Sequence, residues 1–297
     1  MQQDAMTLYE FQQRFPDEQA CRAHLFHLRW PDGFHCPRCG HQDYYHITSR
    51  HLYECSQCHY QTSVTAGTMF HRTRTPLHVW FWVMFLVAKD KRGISAAQIS
   101  REFPVSYPTA WTMLQKIRQA MADRDAQYPL AGIVELDDTY FGAPTTGQKR
   151  GRGTERSAVL VSLTVSDEGH PRFANLQPVP NLRRQTIEEY LEAQTDEASE
   201  IHTDALSTYQ GLTSRAHAWR KAYEADLSET FQWLHRVISN AKAFIAGTYH
   251  GLGPKHLGAY LAEYCYRFNR RFWQDQLFDR LLYAGIHGKP VTYAELT

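Results

Sequence analysis

At 297 residues, with 43% hydrophobic and 13% aromatic content, the chain can bury two or three modest cores and reads as globular. A formal charge of +1 demands no polyanionic partner, and the longest apolar run, Val79 to Ala88, is too short to span a bilayer, so no membrane association is expected. Met1 to Gln13 is polar and acidic, which argues against a secretory leader, and six cysteines in such a chain suit a cytoplasmic protein better than a disulfide framework.

Charge distribution says more than net charge. Arg72 to Arg118 carries eight Lys/Arg against two acids, and Arg236 to Arg280 seven against three. Two basic islands in a neutral chain suit either solvated faces or two surfaces for a polyanion.

In chain order, Phe11 to Arg29 has helical spacing, with Phe11, Phe15, Cys21, Leu25 and Leu28 as core contacts. Cys36-Pro-Arg-Cys39 and Cys55-Ser-Gln-Cys58, fifteen residues apart, match a structural zinc ribbon. Four thiolates close a tetrahedron and leave no open position for catalysis. Tyr44 to Tyr53 reads as a hairpin arm and Tyr60 to Phe70 as a further β segment, which completes a first domain, 1–75.

Pro76 opens a helix that Gly93 ends, Ser95 caps a short helix stopped by Pro104, and Ser106 caps a third running from Tyr107 to Met121. Residues 76–125 thus suit a helix-turn-helix, whose third helix would expose Tyr107, Thr109, Thr112, Gln115 and Lys116 to DNA. A plain three-helix bundle has the same periodicity. Ala122 to Gly132 breaks the pattern and marks a domain boundary.

The remainder, 126–297, reads as a mixed α/β domain. Ile133 to Phe141 is a strand holding Glu135, Asp137 and Asp138; alternation puts Glu135 and Asp137 on one face and Asp138 on the other. Such acids are either solvated on an edge or gathered for a divalent metal. A basic loop follows, Gln148 to Arg156, then strands at Ser157–Val165, Pro171–Gln177 and Glu200–Asp204, with a helix from Arg184 to Ala193. Asp204 ends its strand where open α/β sheets place ligands. Ser207 to Leu212 suits a short helix and His217 to Tyr223 a fifth strand. The helix beginning at Leu234 sets His235 and Lys242 on one face, and a last helix, Lys255 to Arg271, ends in a basic aromatic cluster suited to phosphates.

Taken together, the ribbon cysteines, Gly67-Thr-Met-Phe, Val134-Glu135-x-Asp137-Asp138-Thr139-Tyr140, the Lys-Arg-Gly-Arg-Gly loop, Thr203-Asp204-x-x-x-x-Tyr209, Gly247-Thr-Tyr-His250 and the run from Lys255-His256-Leu257 to Arg271 resemble the bacterial insertion-sequence transposases of the DDE class that carry an N-terminal zinc ribbon. The resemblance covers about Phe11 to Arg280. It implies an RNase H-like mixed sheet preceded by a zinc ribbon and a helix-turn-helix, and a metal-dependent enzyme that cleaves and joins DNA strands at the ends of its element. Asp137 and Asp204 match the two catalytic aspartates, and Lys242 the lysine of the last catalytic helix. Seven residues before Lys242, where the family places a glutamate, stands His235. The third ligand then falls to His235 or to Asn240, with Glu224, Asp226 and Glu229 as substitutes only if the helix is set differently.

The resemblance further implies structural Zn²⁺ on Cys36, Cys39, Cys55 and Cys58, and catalytic Mg²⁺ or Mn²⁺ on Asp137, Asp204 and His235, with Asn240 as the alternative. It implies DNA contacts from Tyr107, Thr109, Thr112, Gln115, Lys116, Lys149, Arg150, Arg152, Lys242, Arg267, Arg270 and Arg271. Double-stranded DNA is the expected partner, gripped by a homodimer or larger assembly. Without the glutamate, a catalytically impaired transposase acting as a DNA-binding protein is the alternative.

Overall fold

The computed structural model describes residues 6–142, 156–204, 206–220, 231–250 and 252–297. Two compact units emerge: the first joins the chain up to Asp123 with Phe272–Thr297, and the second is Arg124–Arg271.

The first unit begins with α1 (Leu8–Arg14) and α2 (Glu18–Arg29). The continuous periodicity suggests one helix, but Pro16 lacks an amide hydrogen and pushes Phe15 out of helical geometry, to φ −130°. Asp17 restarts the helix by accepting from the Ala20 amide at 2.8 Å. The ribbon strands β1 (Tyr44–Ile47), β2 (Leu52–Cys55) and β3 (Gln61–Thr62) form an antiparallel sheet. The expected β segment over 60–70 is therefore only two residues long; Gly67 has φ +74° and Thr68 bonds back to the Thr65 carbonyl at 2.8 Å, closing turns instead.

Three helices follow, α3 (Leu77–Lys89), α4 (Ala96–Glu102) and α5 (Tyr107–Asp125). Ser95 caps α4 through the Gln98 amide, as its position predicts. Near the C-terminus, past the second unit, stand α9 (Leu277–His287) and α10 (Tyr293–Leu296). Phe278 of α9 lies within ring-packing distance of Phe11, Phe15, Phe81 and Phe85, and the Met69 amide donates to the Gly285 carbonyl at 3.1 Å. The sequence reading puts everything from 126 to 297 in one domain; the last segment instead belongs to the first unit, because its apolar stripe completes that aromatic core.

The second unit is a five-stranded sheet in the order β6-β5-β4-β7-β8, built from β4 (Ile133–Phe141), β5 (Ser157–Val165), β6 (Pro171–Val179), β7 (Glu200–Asp204) and β8 (Ala216–Arg220). The first three pair antiparallel, while β7 and β8 run parallel to β4. This is the mixed RNase H-like sheet. Alternation along β4 feeds two cores. Val134 and Leu136 pack with Leu160, Ile201 and, from α6 (Arg184–Gln194), Ile187 and Leu191. Phe141 packs on the other face with Val159, Val161 and residues of α7 (Gln232–Thr248) and α8 (Pro254–Asn269). Residues 206–212 form turns rather than the expected short helix.

Candidate active site

β4 is central in the sheet, and its acids Glu135, Asp137 and Asp138 are half-buried. Burial pushes the Asp137 carboxyl up to about 6; the Asp138 amide, which donates to Asp137 Oδ1 at 2.7 Å, holds it down, while the charges of Asp138 and Asp204 raise it and His235 lowers it. Glu135, two residues back on the same face, is pushed up to about 7 by burial alone, and its buried Oε2 has no hydrogen-bond partner. Asp138 points to the opposite face, as alternation predicts, and accepts from the Tyr209 hydroxyl at 2.8 Å.

His235, in the first turn of α7, places Nε2 3.7 Å from Asp137 Oδ2. Lys242, two turns further along, has its ammonium 5.9 Å from the Phe141 ring centre. Although much of that residue is exposed, partial burial and the nearby Arg156 charge lower its pKa, and Asp137 opposes them. Asp137, Asp204, His235 and Lys242 therefore share one face of the second unit. Asn240 is exposed on α7. Five residues beyond His235 at about 100° each, it has turned away from that face.

Desolvated acids that raise one another, with an orphaned carboxylate oxygen beside them, leave negative charge that a divalent cation would neutralise, and oxygen donors suit Mg²⁺ or Mn²⁺. In the ribbon, the four Sγ atoms lie within 4.8 Å of one another, with Cys36–Cys58 and Cys39–Cys55 at 3.6 Å and Cys39–Cys58 at 3.4 Å. A tetrahedral site with Zn–S bonds of about 2.3 Å needs sulfurs roughly 3.8 Å apart, so this donor set fits structural Zn²⁺. Gly40, at φ +76°, permits the turn that brings the first pair together.

The expected DNA contacts divide. Tyr107 is exposed, Thr109 and Thr112 are half-buried, and Thr112 spends its hydroxyl on the Pro108 carbonyl at 2.7 Å. Gln115 is not on the surface as expected: it is 2% exposed, on the face of α5 that carries Leu114 and Arg118 into the interior. Lys116 is half-buried, which lowers its pKa. Arg267 pairs with Glu263 at 3.2 Å, the nearly buried Arg270 with Asp125 at 2.6 Å, and Arg271 donates to the carbonyls of Pro171, Arg172 and Phe268. The cluster that looks made for phosphates thus braces its own unit. Lys149, Arg150 and Arg152, like Glu224, Asp226 and Glu229, lie outside the described residues. Two residues that the sequence leaves without roles join the site, Arg156 beside Lys242 and Tyr209 beneath Asp138. The first ends the basic loop and the second stands in the Asp204 motif, which are the only signals the sequence carries.

Strand order and cysteine ribbon define the class: an RNase H-like domain joined in one chain to a zinc ribbon. Residues 129–269 match the family model of the ISXO2-like transposase domain, and residues 16–61 that of the transposase zinc-ribbon domain, both of the IS1595 group. The chain belongs to the IS1595-type DDE transposases of insertion sequences. Among solved structures, the Mos1 transposase paired-end complex with left transposon end is similar over 69% of this chain and 78% of that one, at 10% identity and a TM-score of 0.21. No curated protein matches the chain.

Proposed function

We propose that this transposase cleaves DNA strands at the ends of an insertion sequence and transfers them to a target, using divalent metal held by Asp137 and Asp204. The observation that carries this reading is the meeting of Asp137, Asp204 and His235: Nε2 of His235 lies 3.7 Å from Asp137, whose carboxyl also feels the Asp204 charge. Metal bound there supplies activation of an attacking hydroxyl and charge neutralisation at the phosphodiester. Asp137, central on β4, would hold the metal together with Asp204. His235 orients Asp137 or donates a ring nitrogen to the site, which favours Mn²⁺ over Mg²⁺. Lys242 and Arg156 hold a DNA phosphate beside the reacting bond. The helices α3 to α5 read the terminal repeats as a helix-turn-helix through Tyr107, Thr109 and Lys116, and joining two ends calls for a dimer or larger assembly. Among the described residues no helix is long and apolar enough to cross a membrane.

The test is strand cleavage of duplexes bearing the DNA that flanks the gene, with Mg²⁺ or Mn²⁺. Wild type is expected to cut, and Asp137→Asn and Asp204→Asn to lose at least a thousandfold in rate. A wild type that binds those ends and never cuts with either metal would refute the enzyme and leave a DNA-binding protein, the reading that His235 in place of glutamate favours.

A further inference from the structure

The backbone ladder between β4 and β7 pairs Ile133 with Glu200, Val134 with Ile201 and Glu135 with His202. Among the described residues it ends there. Asp137 and Asp204 both lie past its last rung, so main-chain hydrogen bonds between these strands do not fix their separation. A side chain spans that gap. Tyr209 follows Asp204 by five residues, is 0% exposed, and packs in the core with Val134 and Leu136. Its amide donates to the Leu206 carbonyl at 3.0 Å, and the Leu206 amide donates to Asp204 Oδ1 at 3.1 Å, so the ring is tied to the turn that holds Asp204. Its hydroxyl donates to Asp138 Oδ1 at 2.8 Å, and the Asp138 amide donates to Asp137 Oδ1 at 2.7 Å. A continuous line of contacts runs from one catalytic aspartate to the other through this phenol.

Filling the core does not require the oxygen, since phenylalanine occupies the same volume. A buried hydroxyl costs free energy unless it is paired. This one is paired with a carboxylate, and in a desolvated setting such a bond is short and directional. We infer that Tyr209 is a positioning residue which, through Asp138, holds Asp137 and Asp204 at the spacing that metal binding requires. The inference rests on the metal site proposed above and extends it inward by one layer. Residues that orient metal ligands are typically worth tenfold to a hundredfold in affinity.

The experiment titrates Mn²⁺ into the full-length, zinc-loaded protein, in which the ribbon thiolates are already filled, and follows free Mn²⁺ by electron paramagnetic resonance. Tyr209→Phe is expected to raise the Mn²⁺ dissociation constant at least tenfold while the protein melts cooperatively in metal-free buffer. Asp138→Ala, which leaves the ring untouched, is expected to do the same, and adding Tyr209→Phe to it to change nothing further. Unchanged affinity in Tyr209→Phe overturns the inference, as does an equal additional loss in the Asp138→Ala background. If wild type and Asp137→Asn are alike in failing to bind Mn²⁺, the metal site itself is refuted and this inference falls with it, an outcome distinct from the other two.

Discussion

Asp137 carries a cost that the fold accepts. An aspartate whose carboxyl rises from 3.8 unfolded to about 6 folded binds more protons in the native state across that interval. Native stability therefore falls as pH rises from about 4 to about 6, the reverse of the usual salt-bridged aspartate. A tenfold difference in proton affinity between the folded and unfolded chain corresponds to about 1.4 kcal/mol, and the partial exposure of this side chain screens the effect to about 1–2 kcal/mol in all. Asp137→Asn is accordingly expected to stabilise the protein at pH 7 by that amount in magnesium-free buffer, to flatten the pH dependence between 4 and 6, and to abolish stabilisation by added Mn²⁺. Urea unfolding at several pH values measures all three, and a wild type whose stability climbs over that interval contradicts the burial of this carboxyl. His235 supports a second expectation. Its ring nitrogen is a softer donor than the glutamate oxygen that the resemblance places there. His235→Glu should therefore raise Mg²⁺-supported cleavage relative to Mn²⁺-supported cleavage several-fold; an unchanged metal ratio would leave His235 only an orienting role. The strand positions of both aspartates follow from local signals, alternation for Asp137 and a strand-end acid for Asp204, whereas their metal-holding role rests on the family resemblance. Tyr209 and Arg156 cannot be read from the sequence, since what they touch is set by a partner 71 residues away for the first and by a helix far along the chain for the second.

Elements were legible where their signals were local, and less so where a single residue had to outvote a pattern. The strands of the sheet and helices α3 to α8 follow hydrophobic period and caps, and structure and expectation place them within a few residues of each other. Pro16 divides α1 from α2 although the apolar spacing continues through it. Gln115 was legible only as a helical residue, because periodicity assigns it a face without saying what covers that face. The ribbon is the opposite case: three short strands with little apolar area depend on one spacing of cysteines. Such a module gains its fold from metal, so breaking the tetrahedron should unfold it. Cys39 makes the cleanest probe, since it is exposed and its loss removes almost no packing. Cys39→Ser is expected to release zinc and disorder residues 34–62 while the sheet of the second unit keeps its melting transition. Zinc content by mass spectrometry and amide exchange across the ribbon would show this, and full zinc retention with unchanged exchange would contradict a four-sulfur site.

For the molecule as a whole, the chain enters the first unit, leaves it at α5, builds the sheet, and returns with α9. Sequence reading takes domains as consecutive stretches, and nothing in the amphipathic stripe of Leu277, Phe278, Leu281 and Leu282 says which core it will complete. That is why the sequence does not show the return of the last segment. The second unit is therefore an uninterrupted insertion, and its ends are clasped. Asp125, at the end of α5, pairs with Arg270 at 2.6 Å and accepts from the Asn269 amide group at 3.0 Å, and Arg270 stacks on Tyr266. Domains whose termini lie close together tolerate excision, and here the cut falls within the last turn of α5. A fragment of residues 124–271 should fold alone, melt cooperatively and bind Mn²⁺ as the whole chain does, with no zinc. Asp125→Ala in that fragment leaves Arg270 largely buried without its carboxylate and should cost about 3 kcal/mol. A chain cut after residue 271 should instead expose the aromatic core that Phe278 fills and bind a hydrophobic dye. If the fragment is unfolded while the shortened chain is sound, then α9 is dispensable, the sheet needs the rest of the molecule, and the second unit does not fold by itself.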